Sequence, residues 1–330
     1  MPPTVLITFP SVARNRGRHT ELLEEAGCVV RASMIERPLT AQEMLPLVGD
    51  VDAIIAGGEQ IDAQVIAAAP RLRVIARHGV GYDAIDLEAA TRAGVVVAIT
   101  PGTNHISVAE LALGLMLGVA RRIPQLSDAL RKGDWMRAPG VELAGKTLGI
   151  VGLGKIGKAL ATRALALDMR VVAFDVAPDM AFALAHGISL LAFDALLREA
   201  DFVSLHAPGT KGIPSLIGEP QLRLMKPSAY LINTARGSLV DEDALYRSLV
   251  EHRLAGAALD AFAVEPPKSN PLLALDTVLP TPHMGGTIEA GVRTALLATQ
   301  NALQVLRGES CPHTVNPTVY DVIAARKRPS

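Results

Sequence analysis

Cysteine is scarce: the 330 residues hold two, Cys28 and Cys311, far apart and in no CxxC or metal-ligand pattern. That excludes a disulfide-stapled scaffold and a cysteine-built metal site, and free thiols in a reducing compartment are expected. An excess of one charge is missing too, with 32 Lys plus Arg against 33 Asp plus Glu. Nucleic acid and anionic membranes demand a basic footprint, so neither is an expected partner, and a small molecule is. No apolar run is long enough to span a bilayer. The longest, Val108 to Ala120, carries Glu110, and the first residues lack a charged start followed by a sustained apolar core, so a cytoplasmic protein is expected. Tandem repeats and low-complexity tracts are absent, and Arg326 to Arg328 read as a frayed end.

What is present is a β-α-β rhythm, in a chain long enough for two domains with a core each. Val5 to Phe9, Cys28 to Ala32, Ala53 to Ile55, Val74 to Ala76 and Val95 to Ile99 are short β-branched runs separated by amphipathic segments. Thr40 with Glu43 matches a capping box, and Asp62 and Asp86 stand where a short acceptor caps a helix. A helical pattern from Ser107 to Arg121 and a polar stretch around Trp135 lead to a second rhythm. Its strands are Leu148 to Val151, Val171 to Phe174, Phe202 to Leu205, Tyr230 to Asn233, Ala257 to Leu259 and Val278 to Leu279, six in all. The fold class is α/β with two Rossmann-like domains, a doubly wound parallel sheet being the larger. The domain boundary is expected near Pro101, and the helix Glu289 to Leu306, with no strand after it, returns to cover the first domain. Residues 1–101 with 290–330 then form the substrate domain and 102–289 the cofactor domain.

Gly152-Leu-Gly154-Lys-Ile-Gly157 directly follows a strand and opens an Ala/Leu-rich helix, the context that a dinucleotide fingerprint needs. The first glycine makes the tight turn, the second admits a diphosphate to the backbone, and the third lets helix pack on strand. The amides of that helix end face the anion. Asp175 ends the next strand eighteen positions after Gly157, where a carboxylate accepts from both ribose hydroxyls and repels a 2′-phosphate. NAD is therefore expected over NADP.

Ligands bind beyond the carboxyl ends of parallel strands. The ionisable residues that end strands in the second half are Asp175, His206, Arg236, Asp260 and His283, with Glu265 just beyond Asp260. Moving hydride from a secondary alcohol leaves a proton on oxygen, and a histidine is the group for it. His283 paired with Glu265 would have its pKa raised and would favour reduction of a keto acid at neutral pH. The planar fork of Arg236 matches a carboxylate and would polarise the substrate carbonyl. His206 is either a cofactor neighbour or structural, and Asp260 either meets the nicotinamide amide or caps a turn. Arg77-His78-Gly79-Val80-Gly81 ends a strand of the first half, and its amides either receive the substrate carboxylate or form a plain strand-to-helix turn.

Gly152 to Gly157, Asn233-Thr-Ala-Arg236-Gly237, Asp260-Ala-Phe-Ala-Val-Glu265-Pro266-Pro267 and Thr281-Pro-His283 together resemble the D-isomer-specific 2-hydroxyacid dehydrogenase family. The resemblance runs from the early strands to about Val315-Asn316-Pro317. It implies an active site between two domains, the smaller flavodoxin-like and built from both chain ends. It implies Arg236, Glu265 and His283 as substrate clamp, histidine partner and acid/base. Cofactor contacts carry over to Val80, Lys155, Ile156, Asp175, Ala207, Thr234, Ala235, Arg236, Asp260, His283 and Gly286, beside His206. Substrate contacts fall on His78, Gly79, Val80, Gly81, Arg236 and His283. The stretch around Trp135 resembles the family's dimer arm, implying a homodimer.

Within the family the chain is most similar to D-3-phosphoglycerate dehydrogenases, through Asp86-Leu-Glu-Ala-Ala-Thr91, Ser107-Val-Ala-Glu110 and Gly256-Ala-Ala-Leu-Asp260. Ala56 stands where those enzymes carry an arginine toward the substrate phosphate, His78 replaces a small residue, and no long extension follows Tyr320. A lost charge-assisted contact of about 1.5–3 kcal/mol brings unphosphorylated acids such as hydroxypyruvate or glyoxylate level with 3-phosphoglycerate. The other readings are a nucleotide-sensing corepressor on the same fold, against which the intact Arg236, Glu265 and His283 set argues, and a formate dehydrogenase, which pairs its histidine with glutamine where this chain has Glu265.

Overall fold

A computed structural model describes residues 1–14, 16–35, 37–209 and 214–327. The chain divides into two units, Met1–Asn104 with Thr287–Ser330, and His105–Gly286. The divisions fall where long helices start rather than at the expected 101/102 and 289/290. The helix His105–Ala120 opens the second unit. On the return, the Thr287 hydroxyl accepts from the Ala290 amide at 3.2 Å and caps the helix Ile288–Leu306.

In the first unit, strands β1 (Thr4–Ile7), β2 (Val29–Ala32), β3 (Ala53–Ala56), β4 (Val74–Arg77) and β5 (Val96–Ala98) form one parallel sheet in the order β2-β1-β3-β4-β5. β1, β3 and β5 are buried along their whole length because helices cover both faces, whereas the edge strand β2, with Arg31, is exposed. Leu6, Ile54, Ile75 and Val97 pack on one side with Val48, Ile61 and Val65. Val5, Ile55 and Ala76 meet Ala295, Ala298 and Ala302 of the helix Ile288–Leu306 on the other, so that last long helix covers the first sheet. Small side chains along that helix let it lie close to the strands. The capping box of Thr40 and Glu43 forms, and Asp62 and Asp86 accept amides at their helix starts. β1 ends at Ile7, shorter than its apolar run, although the Thr8 amide still donates to the Ile55 carbonyl of β3 at 3.1 Å. The frayed end expected from Arg326 is instead a helix, Val319–Lys327. Arg326 donates to the carbonyls of Ala93 and Arg92 at the end of the helix Leu87–Ala93, where a cation suits unsatisfied carbonyls. Arg328 lies outside the described residues.

The second unit carries seven parallel strands: β6 (Thr147–Val151), β7 (Arg170–Phe174), β8 (Ser189–Leu190), β9 (Phe202–Leu205), β10 (Tyr230–Asn233), β11 (Gly256–Leu259) and β12 (Val278–Pro280). Their order is β12-β11-β10-β9-β6-β7-β8. The expected count of six is corrected by β8, whose two residues are too few to leave a strand periodicity in sequence. Leu148, Ile150 and Ile232 pack with Ala109, Ala112 and Met116 of the helix His105–Ala120, while Val203, Leu231 and Leu259 pack with Leu196 and Leu245 on the opposite face. Winding reverses between β6 and β9. All strands point one way, so Gly152, Asp175, His206, Arg236, Asp260 and His283 emerge from a single edge of the sheet.

Cys28 and Cys311 are free thiols. Among the described residues no helix is long and apolar enough to cross a membrane.

Candidate active site

The turn after β6 is built for an anion. Gly152 has φ +97, and a Cβ there would meet the His206 carbonyl carbon and oxygen at 2.8 Å. A Cβ on Gly157 would lie 2.2 Å from the Gly152 oxygen, so helix and turn touch through bare backbone. At Gly154 an added Cβ meets no heavy atom within 4 Å. That residue also caps the helix Lys155–Leu165 with no side-chain hydrogen bond, which leaves the first amides, Lys155 and Ile156 included, for a phosphate. Asp175 ends β7 in two bonds that sequence reasoning did not anticipate. Its Oδ2 accepts the Leu153 amide at 2.6 Å and its Oδ1 the Ala177 amide at 2.9 Å. The carboxylate thus fixes the glycine turn while keeping lone pairs for a ribose.

Among the described residues, two buried polar atoms at the next strand ends have no hydrogen-bond partner, His206 Nδ1 and Thr234 Oγ1. The other ring nitrogen of His206 lies 2.9 Å from the Ser204 hydroxyl, and burial holds its pKa down to about 4, so the ring is neutral and no proton reservoir at pH 7. Orphaned polar atoms of this kind cost free energy unless a ligand completes them. With the open space at Gly154 and the uncapped helix, they fit a dinucleotide; Ala207, Ala235 and Gly286 sit on the same strand-end segments.

Arg236 is placed by Asn233, the buried last residue of β10. Its Oδ1 accepts the Ala235 amide at 3.0 Å and its Nδ2 donates to the Arg236 carbonyl at 2.8 Å. Gly237 follows because nothing larger fits: a Cβ would sit 1.8 Å from the Phe262 carbonyl carbon. The arginine turn therefore rests directly on the loop that bears Glu265.

Glu265 and His283 are joined. His283 Nδ1 lies 2.8 and 3.0 Å from the two carboxylate oxygens. A carboxylate only accepts, so Nδ1 carries hydrogen and Nε2 is left to exchange a proton with a ligand. Glu265 also accepts the Phe262 amide at 3.0 Å. The Glu265 bond raises the His283 pKa above the ordinary imidazole value, burial opposes it, Asp260 adds to it, and Arg236 works the other way. Burial pushes Glu265 up, but the bonds from His283 and Phe262 leave its pKa below the usual carboxylate value.

His283 adopts φ +52, a left-handed conformation unfavourable for a side chain of this size. Asp260 holds it there. Asp260, 2% exposed at the end of β11, accepts the Thr281 hydroxyl at 2.7 Å and the Met284 amide at 2.8 Å, bracketing the histidine. Burial raises the Asp260 pKa. Of the two tasks expected of Asp260, these bonds describe the bracing of the turn.

In the first unit the strand-end turn after β4 is partly engaged. The Gly79 amide donates to the Thr100 hydroxyl at 3.0 Å and its carbonyl accepts from the Thr100 amide. The amides of Val80 and Gly81 make no hydrogen bond among the described residues. Arg77 Nε donates to the Gly81 carbonyl at 2.7 Å and its Nη1 to the Ala56 carbonyl at 3.3 Å, so the guanidinium shapes the turn. His78 stacks on Phe9 with ring centroids 4.5 Å apart, and its Nε2 bonds the Gly291 carbonyl at 3.2 Å. Burial lowers its pKa to about 4, which leaves a neutral ring whose donor nitrogen is already paired. Past β3, Glu59 is buried, and among the described residues its Oε2 has no hydrogen-bond partner. Sequence inspection passed over it because one glutamate in a loop carries no signal of burial.

A family model described as D-isomer specific 2-hydroxyacid dehydrogenase, NAD binding domain, matches residues 113–285. Over 301 residues the chain is 43% identical to a D-3-phosphoglycerate dehydrogenase of Methanocaldococcus jannaschii, covering 90% of this chain but 57% of that protein, little more than half its length. It is 42% identical over 319 residues to a glyoxylate reductase of Thermofilum pendens, covering 91% and 92% of the two. Among solved structures, the D-lactate dehydrogenase of Aquifex aeolicus complexed with NAD and lactic acid matches with a TM-score of 0.82 at 26% identity, over 94% of this chain and 99% of that one.

Proposed function

This chain belongs to the D-isomer-specific 2-hydroxyacid dehydrogenase family, and on that premise we propose that it reduces an unphosphorylated 2-keto acid to the 2-hydroxy acid with NADH, and reverses the reaction at higher pH. The observation that carries this reading is the 2.8 Å bond between His283 and Glu265, on the same sheet edge as the glycine turn and Asp175.

When bound, the nicotinamide supplies the hydride for the carbonyl carbon or accepts it from the alcohol carbon. Every other part falls to side chains. His283 Nε2 gives its proton to the carbonyl oxygen in reduction and takes it back in oxidation. Glu265 fixes the ring tautomer and favours the imidazolium, as its bond to Nδ1 requires. Arg236 receives the acid group through its planar fork and draws charge toward the carbonyl. Asp260 keeps the Thr281–Met284 turn in place. The amides of Val80 and Gly81 are of the kind that receive a carboxylate; Gly79 is not among them, because its amide is bonded to Thr100.

The choice of an unphosphorylated acid rests on Ala56: a methyl group at the end of β3 offers a phosphate no cation. We assign the pairing of two copies to the segment around Trp135, which is 79% exposed.

Steady-state loss of NADH absorbance with glyoxylate, hydroxypyruvate and phosphohydroxypyruvate tests the function. The expected result is turnover with at least one of the first two, at a kcat/KM about 10-fold or more above the phosphorylated acid, the scale of one charge-assisted contact. Tight NADH binding with no turnover of any acid would favour the nucleotide-sensing binding protein instead. Formate is expected to yield no NADH.

A further inference from the structure

Glu242 opens the helix Glu242–Val250, one residue after Asp241, whose side chain caps that helix by accepting the Ala244 amide. The helix dipole favours an acidic residue in a first turn. It does not account for where this carboxylate goes. Oε1 accepts the Ala263 amide at 2.7 Å, and Oε2 accepts from Asn270 Nδ2 at 2.6 Å. These partners flank Glu265, two residues before it and five after. The loop's own bonds run from Phe262 to Glu265, from Lys268 to Pro266, and from Asn270 to Pro267. They shape the loop internally, whereas Glu242 ties both of its ends to a helix packed on the sheet.

The same short segment carries Arg236. Gly237 presses its backbone on Phe262 and Ala263, and Glu242 then reaches across to Ala263. One stretch of chain, 236–242, therefore sets both the arginine and the base of the Glu265 loop. We propose that Glu242 is a positioning residue: it touches neither substrate nor cofactor, and it holds Glu265 at hydrogen-bond distance from His283 while fixing the pair relative to Arg236.

The charged groups that face His283 are Glu265 and Asp260, which favour its protonated form, and Arg236, which disfavours it. Loosening the Glu265 loop removes the largest of these influences. The histidine then becomes a weaker base, and the pH limit of keto-acid reduction moves down. The inference rests on His283 being the acid/base group, but its first readout needs no turnover.

Glu242→Ala and Glu242→Gln test it in the full chain. The His283 ring is titrated by NMR on histidine-labelled protein, with His283→Gln to identify its signal, and the pH profile of kcat/KM for glyoxylate is recorded beside it. Glu242→Ala is expected to lower the His283 pKa by about 0.5–1 and kcat/KM about 10-fold, with the NADH Kd within about twofold, well under the tenfold scale of one lost contact. Glu242→Gln keeps an acceptor for one of the two donors and is expected to fall between, and it decides the matter alone should the alanine variant not fold. A wild-type His283 titration and pH profile in both variants, whatever their thermal midpoints, overturns the proposal. If the wild type reduces no keto acid, the functional reading fails while the titration still decides this one.

Discussion

His283 stands in a conformation that its backbone disfavours, and two carboxylates hold it there. Glu265 takes the Nδ1 hydrogen and Asp260 takes the hydroxyl and amide on either side. Reduction requires the protonated ring. Because its pKa is raised in the folded protein, kcat/KM for a keto acid should fall only as pH climbs through a value above that of an ordinary imidazole, while oxidation of the hydroxy acid rises over the same range. Glu265→Gln removes the charge that lifts the pKa, so the reduction limb is expected to shift to lower pH; an unmoved limb in a pH-rate profile would place the proton elsewhere. Asp175→Ala should raise the KM for NADH about 10-fold or more, since it loses both a ribose acceptor and the tie to Leu153, and should narrow the preference over NADPH. Paired kinetics with the two cofactors check it, and a wild type that already prefers NADPH contradicts the ribose role. Arg236, Glu265 and His283 were legible as ionisable residues at strand ends. For Asp260 the sequence left a turn cap and a nicotinamide contact side by side; the neutral state of His206 and the engaged amide of Gly79 were not legible, because the first follows from burial and the second from a partner distant in sequence.

Among the elements, the β6 turn and the helix after it separate packing from binding. Gly157→Ala drives a Cβ against the Gly152 oxygen, a main-chain clash worth about 1–3 kcal/mol, and should lower the thermal midpoint and NADH affinity together. Gly154→Ala meets open space and keeps φ −75, so the midpoint should hold while NADH binding weakens. Calorimetry and fluorescence titration of the two variants would contradict this account if both lost stability equally. Strand positions were readable almost throughout because buried parallel strands write continuous β-branched runs, as at Val203 and Ile232. The two-residue β8 was too short to write anything. The starts of His105–Ala120 and Ile288–Leu306 were missed by a residue or two, since caps such as Thr287 are defined by hydrogen bonds rather than by periodicity.

For the whole molecule, two parallel α/β units and the return of the last long helix to the first sheet follow from the pattern of strands, because a helix with no later strand has to cover an earlier one. The exposed apolar side chains of Ile123, Leu130 and Trp135 do not follow from it. If a second copy covers them, light scattering should give about twice the chain mass of 34.7 kDa, and Trp135→Ser should shift the population toward monomer. A wild type that is monomeric at micromolar concentration would set that assignment aside. The central claim is that His283, oriented by Glu265, moves the proton that accompanies hydride transfer. Its most direct test is the single-turnover rate of NADH oxidation by a keto acid in wild type and His283→Ala. The account predicts a fall of about a hundredfold or more with NADH binding retained, and a variant that keeps a rate within a few-fold of wild type would contradict it.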